Sequence, residues 1–378
     1  MTRQSRSLIE VLAEVEDFRQ PQGKRYSLVS ILALACTAMM CGYRSYGAMS
    51  EWGRHYGREV SQALGFKGST PCAATFHNVF RELDKEQLEG KLGEWAAGVL
   101  ETTPRGESEL EGISIDGKTL RGSRRQGAGE VHLLSVVSHR LGVTLGERAV
   151  PDKTNEITQV PEVLKELVLK GWVVTGDALL TQRTIAETIV EGGGDYVLIA
   201  KGNQPELMAD IRTVFEEAAP PGATLPVAET LEVGHGRIEQ RRLTASSILA
   251  AYSYFPGLAQ VFTITREVIE KKTGLSRQEV VFGLTSLTAP KASPAQLLTL
   301  VRGHWTIENK SHWVRDVTFD EDRSQVRCGS LPQVLAALRN TAIGLMRWAG
   351  ETKIAAACRK FAAQPWSALA LIGINAEN

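Results

Sequence analysis

The chain has 378 residues, 43% hydrophobic and 23% charged, enough to bury a core unaided and too balanced for a disordered, collagen-like, coiled-coil or small disulfide-bonded protein. Its 43 Lys and Arg offset its 43 Asp and Glu, so binding to a polyanion has to come from local clusters of cations rather than from net charge. Cys36, Cys41, Cys72, Cys328 and Cys358 are odd in number and form no C-x-x-C pair, the usage of reduced thiols in a cytosolic protein without a disulfide or zinc framework.

The first hundred residues are helical in pattern. Ser7 with Glu10 three residues on spells a capping box, and Leu8, Val11, Leu12 and Val15 follow at helical spacing, which reads as a helix over Leu8 to Phe18 and not as a secretion leader. Leu28 to Gly42 is apolar but short for a bilayer, so a buried core helix is expected and no membrane span. Helices are also expected over Tyr46 to Leu64, Ala73 to Leu83 and Glu86 to Leu100. The first two of these, joined by GFKGSTPC, resemble a helix-turn-helix with Thr75, His77, Asn78 and Arg81 toward a groove, although two plainly packed helices account for the same pattern. The polar, Pro- and Gly-bearing stretch Thr102 to Gly112 reads as a linker. The expectation is thus a helical domain over 1–101, with possible DNA binding, and a second domain over 102–378.

The second domain opens with a strand at Ile113 to Ile115, then strands over Val131 to His139 and Val143 to Val150 joined by a tight turn at Leu141 and Gly142. A helix (Ile157 to Leu169), a strand (Trp172 to Thr175), a helix (Thr181 to Val190), a strand (Tyr196 to Ala200) and a helix (Pro205 to Glu217) follow. A meander followed by right-handed crossovers builds one mixed sheet flanked by helices, the order of a ribonuclease-H-like α/β core. Strand-like segments then imply a β-rich insertion over about 225–290 after the fifth strand, ahead of helices over Ala295 to Val317 and Pro332 to Trp348.

Gly112 to Thr119, GISIDGKT, fits the phosphate-loop pattern letter for letter. Such a loop needs an apolar strand before it and a helix after it. Here polar RGESELE precedes, Gly-rich LRGSRRQGAGE follows, and Ile113 and Ile115 alternate inside the supposed loop. A nucleotide-hydrolysing switch is therefore the disfavoured alternative. The strand reading instead puts Asp116 at or near a strand end, presented by the turn-forming Gly117, and Asp177 follows the apolar run WVVT and a Gly. Ligands of α/β sheets collect at the carboxyl ends of strands, whereas either Asp alone also serves as a turn or cap residue. In GHWTIENKSHWVRDV, helical spacing puts His304, Glu308, His312 and Arg315 on one stripe. If that stripe faces Asp116 and Asp177, three hard carboxylates converge, a set that suits Mg2+ or Mn2+. Two such ions activate an attacking water or 3′-hydroxyl and stabilise the leaving oxygen of a phosphodiester. The same histidines invite zinc, but no H-E-x-x-H is present.

The strings IDGKTLRGS, TGDALLTQ, DYVLIAKGNQPEL, GHGRIEQRR and HWTIENKSHWVRDVTFDED, in that order, resemble those of bacterial insertion-sequence DDE transposases of the H-repeat-associated, ISAs type. Residues 17–90 resemble the helical domain that precedes the catalytic domain in that family. The resemblance implies a ribonuclease-H-like core, two divalent ions held by Asp116, Asp177 and Glu308, and cutting and joining of element ends. It implies as partners double-stranded DNA, both terminal inverted repeats and target, and at least a homodimer on that DNA. A cytoplasmic, nucleoid-associated protein is expected; a catalytically inactive, domesticated DNA-binding relative is the alternative. Related families carry a Tyr, Arg, Glu, Lys signature around the last acid; His304 and Arg315 stand at the basic places here, and Val301 at the Tyr place. Further phosphate contacts are expected from Lys118, Arg121, Arg124 and Arg125 after the first acid, from Lys201, Asn203 and Gln204 after the fifth strand, and from His235, Arg237, Arg241 and Arg242 on a hairpin. Trp305 and Trp313 are expected in the core, with stacking on an unpaired base as the alternative.

Overall fold

The computed structural model describes residues 6–104, 106, 110–124, 129–151, 155–216 and 225–375. Six helices come first: α1 (Leu8–Leu12), α2 (Leu28–Met40), α3 (Tyr46–His55), α4 (Arg58–Ala63), α5 (Ala73–Glu82) and α6 (Lys85–Thr102). Strands β1 (Glu111–Leu120), β2 (Val131–Ser138) and β3 (Thr144–Val150) follow. The alternating part is α7 (Glu156–Lys165), β4 (Trp172–Gly176), α8 (Arg183–Glu191), β5 (Asp195–Ala200) and α9 (Pro205–Glu216). Strands β6 (Val227–Gly234), β7 (Arg237–Ser246), β8 (Gln260–Glu270) and β9 (Ser276–Thr285) lead to α10 (Pro294–His304), and α11 (Leu331–Trp348), α12 (Ile354–Ala363) and α13 (Pro365–Ile372) close the chain. None of the described helices is long and apolar enough to cross a membrane.

The chain divides into two compact units, one of residues 1–107, 117–155 and 306–378, the other of 108–116 and 156–305. In the first unit, α2 is the central element: every residue except Val29 is buried, and Ser27 caps it by accepting the Ser30 N–H. The capping box at Ser7 and Glu10 starts α1 as expected, but the helix ends at Leu12 and not at Phe18. The single helix expected over Tyr46 to Leu64 is instead two, because Gly57 sits at φ +95° and turns the chain between α3 and α4. Helix α6 lies on β3 and α11. Gly93 permits the approach to the strand, since a Cβ there would stand 2.5 Å from the Leu145 carbonyl oxygen.

In the second unit, β1 pairs in parallel with β4 (Glu111 opposite Trp172, Ser114 opposite Thr175), and β4 in parallel with β5. Strand β9 then adds antiparallel to β5, and β8, β7 and β6 continue the meander outward. Strand β1, shared by the two units, gives the full order β3-β2-β1-β4-β5-β9-β8-β7-β6. The β-rich segment after the fifth strand therefore lengthens the same sheet. Its core is continuous with the crossovers: Val173 and Val197 join Leu243, Phe262, Leu297 and Leu298.

Two expected elements are corrected. Strand β1 runs on through Leu120, so Gly117 makes no turn and Asp116 lies inside the strand. GISIDGKT is thus extended throughout, and a short 3-10 turn at Arg121–Ser123 follows it, which leaves neither the loop nor the helix that a phosphate cradle needs. The helix expected over Ala295 to Val317 ends as α-helix at His304 and continues as wider π-helical turns over Ile307–His312 and Val314–Thr318.

Candidate active site

In the second unit the β1–β4 register sets the geometry. Asp116 lies inside β1, two residues past Ser114, and Asp177 is the first residue beyond the end of the parallel neighbour β4, two past Thr175, the partner of Ser114. The hydroxyls of the paired Ser114 and Thr175 touch, Thr175 Oγ1 to Ser114 Oγ at 3.4 Å, and the period of two within β1 puts Asp116 on the Ser114 face. Asp116 is half-buried and Asp177 exposed. The Asp177 Oδ1 accepts the N–H groups of Leu179 (2.9 Å) and Leu180 (3.3 Å), a turn that fixes the carboxylate as the chain leaves the sheet. The C-terminus of α10 is tied to the same face: Ser114 Oγ donates to the His304 carbonyl at 3.0 Å, and Thr175 Oγ1 lies 3.3 Å from His304 Nδ1. Burial pushes the His304 imidazole below its ordinary range, with Asp177 opposing the shift. Two carboxylates are hard oxygen donors and match the demands of Mg2+ or Mn2+ better than those of zinc.

Glu308 lies in the first unit, four residues past His304. It is exposed on the first π-helical turn, with His312 Nδ1 3.6 Å from its Oε2. His312 is buried, and that burial, reinforced by the Arg315 and Lys118 charges, pushes it down to about 3. It is a neutral imidazole beside the acid and not a phosphate-binding cation. Its only sequence signal is the spacing of four from Glu308.

Two expected phosphate contacts are corrected. Arg315 has no solvent exposure; it donates to Glu147 Oε1 and Glu321 Oε2 at 2.7 Å each. Here it points into the unit and is already paired, not displayed beside exposed Glu308. Lys118 is buried as well, its Nζ 2.6 Å from both carboxylate oxygens of Asp316, and its charge is already matched. Conversely Trp305 (63% exposed) and Trp313 (55%) are not in the core.

Of the other expected contacts, Arg121 is exposed near Asp322 at 3.6 Å, Arg124 is exposed, and Arg125 lies outside the described residues. Lys201 is exposed, but the Asn203 amide donates to the Ala178 carbonyl (2.6 Å) and the Gln204 amide to the Thr181 carbonyl (2.9 Å). Those two side chains thus brace the loop that follows Asp177. On the β6–β7 hairpin His235 occupies the tip at φ +48° and is exposed, as are Arg237 and Arg242. Arg241 is instead held between Glu232 (3.1 Å) and Glu239 (2.9 Å).

Comparison with known proteins finds residues 107–345 matched by the family described as "Transposase DDE domain" and residues 9–96 by that described as "DDE_Tnp_1-associated". The "Putative transposase YncI" of Escherichia coli O157:H7 is 30% identical over 351 residues, 90% of this chain and 87% of that protein. The "H repeat-associated putative transposase YhhI" of Escherichia coli (strain K12) is 29% identical over 357 residues, 90% of each chain. A solved piggyBac transposase synaptic complex with hairpin DNA overlays at a TM-score of 0.44 and 9% identity, over 97% of this chain and 77% of that one, too loose a likeness to fix the fold.

Proposed function

The chain belongs to the transposase DDE-domain family and is a transposase, and from that membership we propose that Asp116, Asp177 and Glu308 form the site at which it cuts and rejoins the ends of a mobile DNA element. The observation that carries this reading is that Asp116 inside β1 and Asp177 just past the end of its parallel neighbour β4 each follow by two residues the Ser114–Thr175 pair that contacts His304. We read β3-β2-β1-β4-β5 as a ribonuclease-H-like core that β9-β8-β7-β6 extends, within a catalytic region over 102–378 preceded by a helical region over 1–101.

Asp116, Asp177 and Glu308 would hold two Mg2+ or Mn2+ ions, which when bound lower the pKa of an attacking water or 3′-hydroxyl and neutralise the leaving oxygen. Asp177, pinned by two backbone amides, stays oriented without rearrangement, and neutral His304 keeps α10 on the face without adding a competing cation. Exposed Arg121, Arg124, Lys201, His235, Arg237 and Arg242 are left to hold the phosphates of element-end and target DNA. Joining two ends calls for two such sites, hence a homodimer on DNA.

The test is cleavage of a duplex bearing the sequences that flank the gene, in Mg2+. Wild type cuts it; Asp116→Asn, Asp177→Asn and Glu308→Gln each reduce cutting to background while binding persists. Full activity in any one removes that residue from the site, and binding without cutting by wild type points to the inactive relative.

A further inference from the structure

The first unit holds a cavity of about 450 Å3 whose walls include Arg140, Lys310, Trp313, Arg347 and Lys353. Four cationic side chains thus face one carboxylate on the lining, Glu351, which is already paired with Lys360. At its centre two cations stand together without an acid between them. Lys310 Nζ donates to the His139 carbonyl at 3.0 Å, and Arg347 donates to the Lys310 carbonyl at 2.6 Å, while the Arg347 Nε is buried with no partner. Carbonyl dipoles orient these groups but do not cancel their charge. The cost is visible at Arg347, which burial alone brings down to about 10. A bound anion would match both charges.

Lys310 sits two residues after Glu308 on the same π-helical turn. We propose that this cavity is a subsite for a backbone phosphate of bound DNA, held between Lys310 and Arg347. The assignment rests on the reading that the chain acts on DNA. Phosphate is favoured over a peptide carboxylate because a DNA strand brings a charge at every nucleotide to the cationic wall of Lys310, Arg347 and Lys353.

The test measures binding of a short mixed-sequence duplex to the full chain as salt is varied. Lys310→Gln is expected to weaken binding about tenfold at low salt and to flatten the log–log salt slope by about one contact, while Lys310→Arg retains both. Quenching of Trp313, isolated by comparison with Trp313→Phe, should accompany binding in wild type and fade in Lys310→Gln. Matching melting temperatures for Lys310→Gln and Lys310→Arg separate the effect from loss of the His139 contact. Unchanged affinity and slope in Lys310→Gln, with wild type binding normally, overturns the subsite alone. Displacement of the duplex from wild type but not from Lys310→Gln by an acidic peptide at matched charge also overturns it, in favour of a carboxylate site. Failure of wild type to bind DNA overturns the proposed function as well.

Discussion

Arg315 shows how little a residue's type settles its role. Its guanidinium joins Glu147 and Glu321; Glu321 also accepts from Arg339 at 2.8 Å, and Glu147 from Asn340 at 3.1 Å and Ser135 at 2.8 Å. Removing one member of such a buried set strands the others, at a cost of about 3–5 kcal/mol. Arg315→Met should therefore lower the denaturant midpoint of unfolding strongly, and a loss below about 1 kcal/mol would contradict the buried clamp. The sequence placed Arg315 on a polar stripe with Glu308 because even α-helical spacing was assumed; π-helical turns leave no trace in hydropathy. Glu89 gives a pH signature. Its Oε1 is buried with no partner, and burial, then the Glu147 charge, pushes the carboxyl up to about 9. Below the ordinary carboxylate range Glu89 is protonated in folded and unfolded chains alike. As pH rises from there toward about 9, only the unfolded chain releases the proton, so wild type loses stability. Glu89→Gln should escape that loss, melting like wild type in acid and progressively higher above it; a difference that does not vary with pH contradicts the raised carboxyl.

Among the elements, the β6–β7 hairpin holds its cations to different degrees. Arg241 is largely buried between Glu232 and Glu239, whereas Arg237 and Arg242 are exposed on the strand that follows the tip, with longer contacts to Glu239 (3.7 Å) and Glu229 (3.5 Å). Arg237→Ala with Arg242→Ala should weaken DNA binding and flatten its salt slope by about two, and an unchanged slope removes the hairpin from the interface. Where α6 meets β3, Gly93→Ala forces a methyl against the Leu145 carbonyl. A destabilisation of about 1–3 kcal/mol is expected in thermal melts, and a neutral variant would mean the helix shifts freely. Strong periodicity made most elements legible: the capped α1, the apolar α2 and the β2–β3 turn all follow from residue patterns. Boundaries that depend on one backbone angle were not legible. Gly57 splits a helix, and Gly117 fails to end a strand, because hydropathy alone does not distinguish a glycine used for its φ from one that is merely tolerated.

At the scale of the molecule, the order three strands, helix, strand, helix, strand was enough to anticipate the sheet, since crossover handedness leaves few ways to arrange it. That β9 pairs with β5, so that the β-rich segment widens this sheet, was not readable, because hydrogen-bond partners between distant strands are encoded in shared burial and not in either strand alone. The same limit applies to the acids: Asp116 and Asp177 were marked by their strands, while nothing local to Glu308 ties it to them. The direct measurement is a local cleavage map. Fe2+ is substituted for Mg2+, hydroxyl radicals are generated at the bound ion with ascorbate and peroxide, and the cut fragments are sized. The account expects cuts clustered beside Asp116, Asp177 and Glu308 together, all lost in Asp116→Asn; cuts beside the first two with the stretch around Glu308 spared would contradict it.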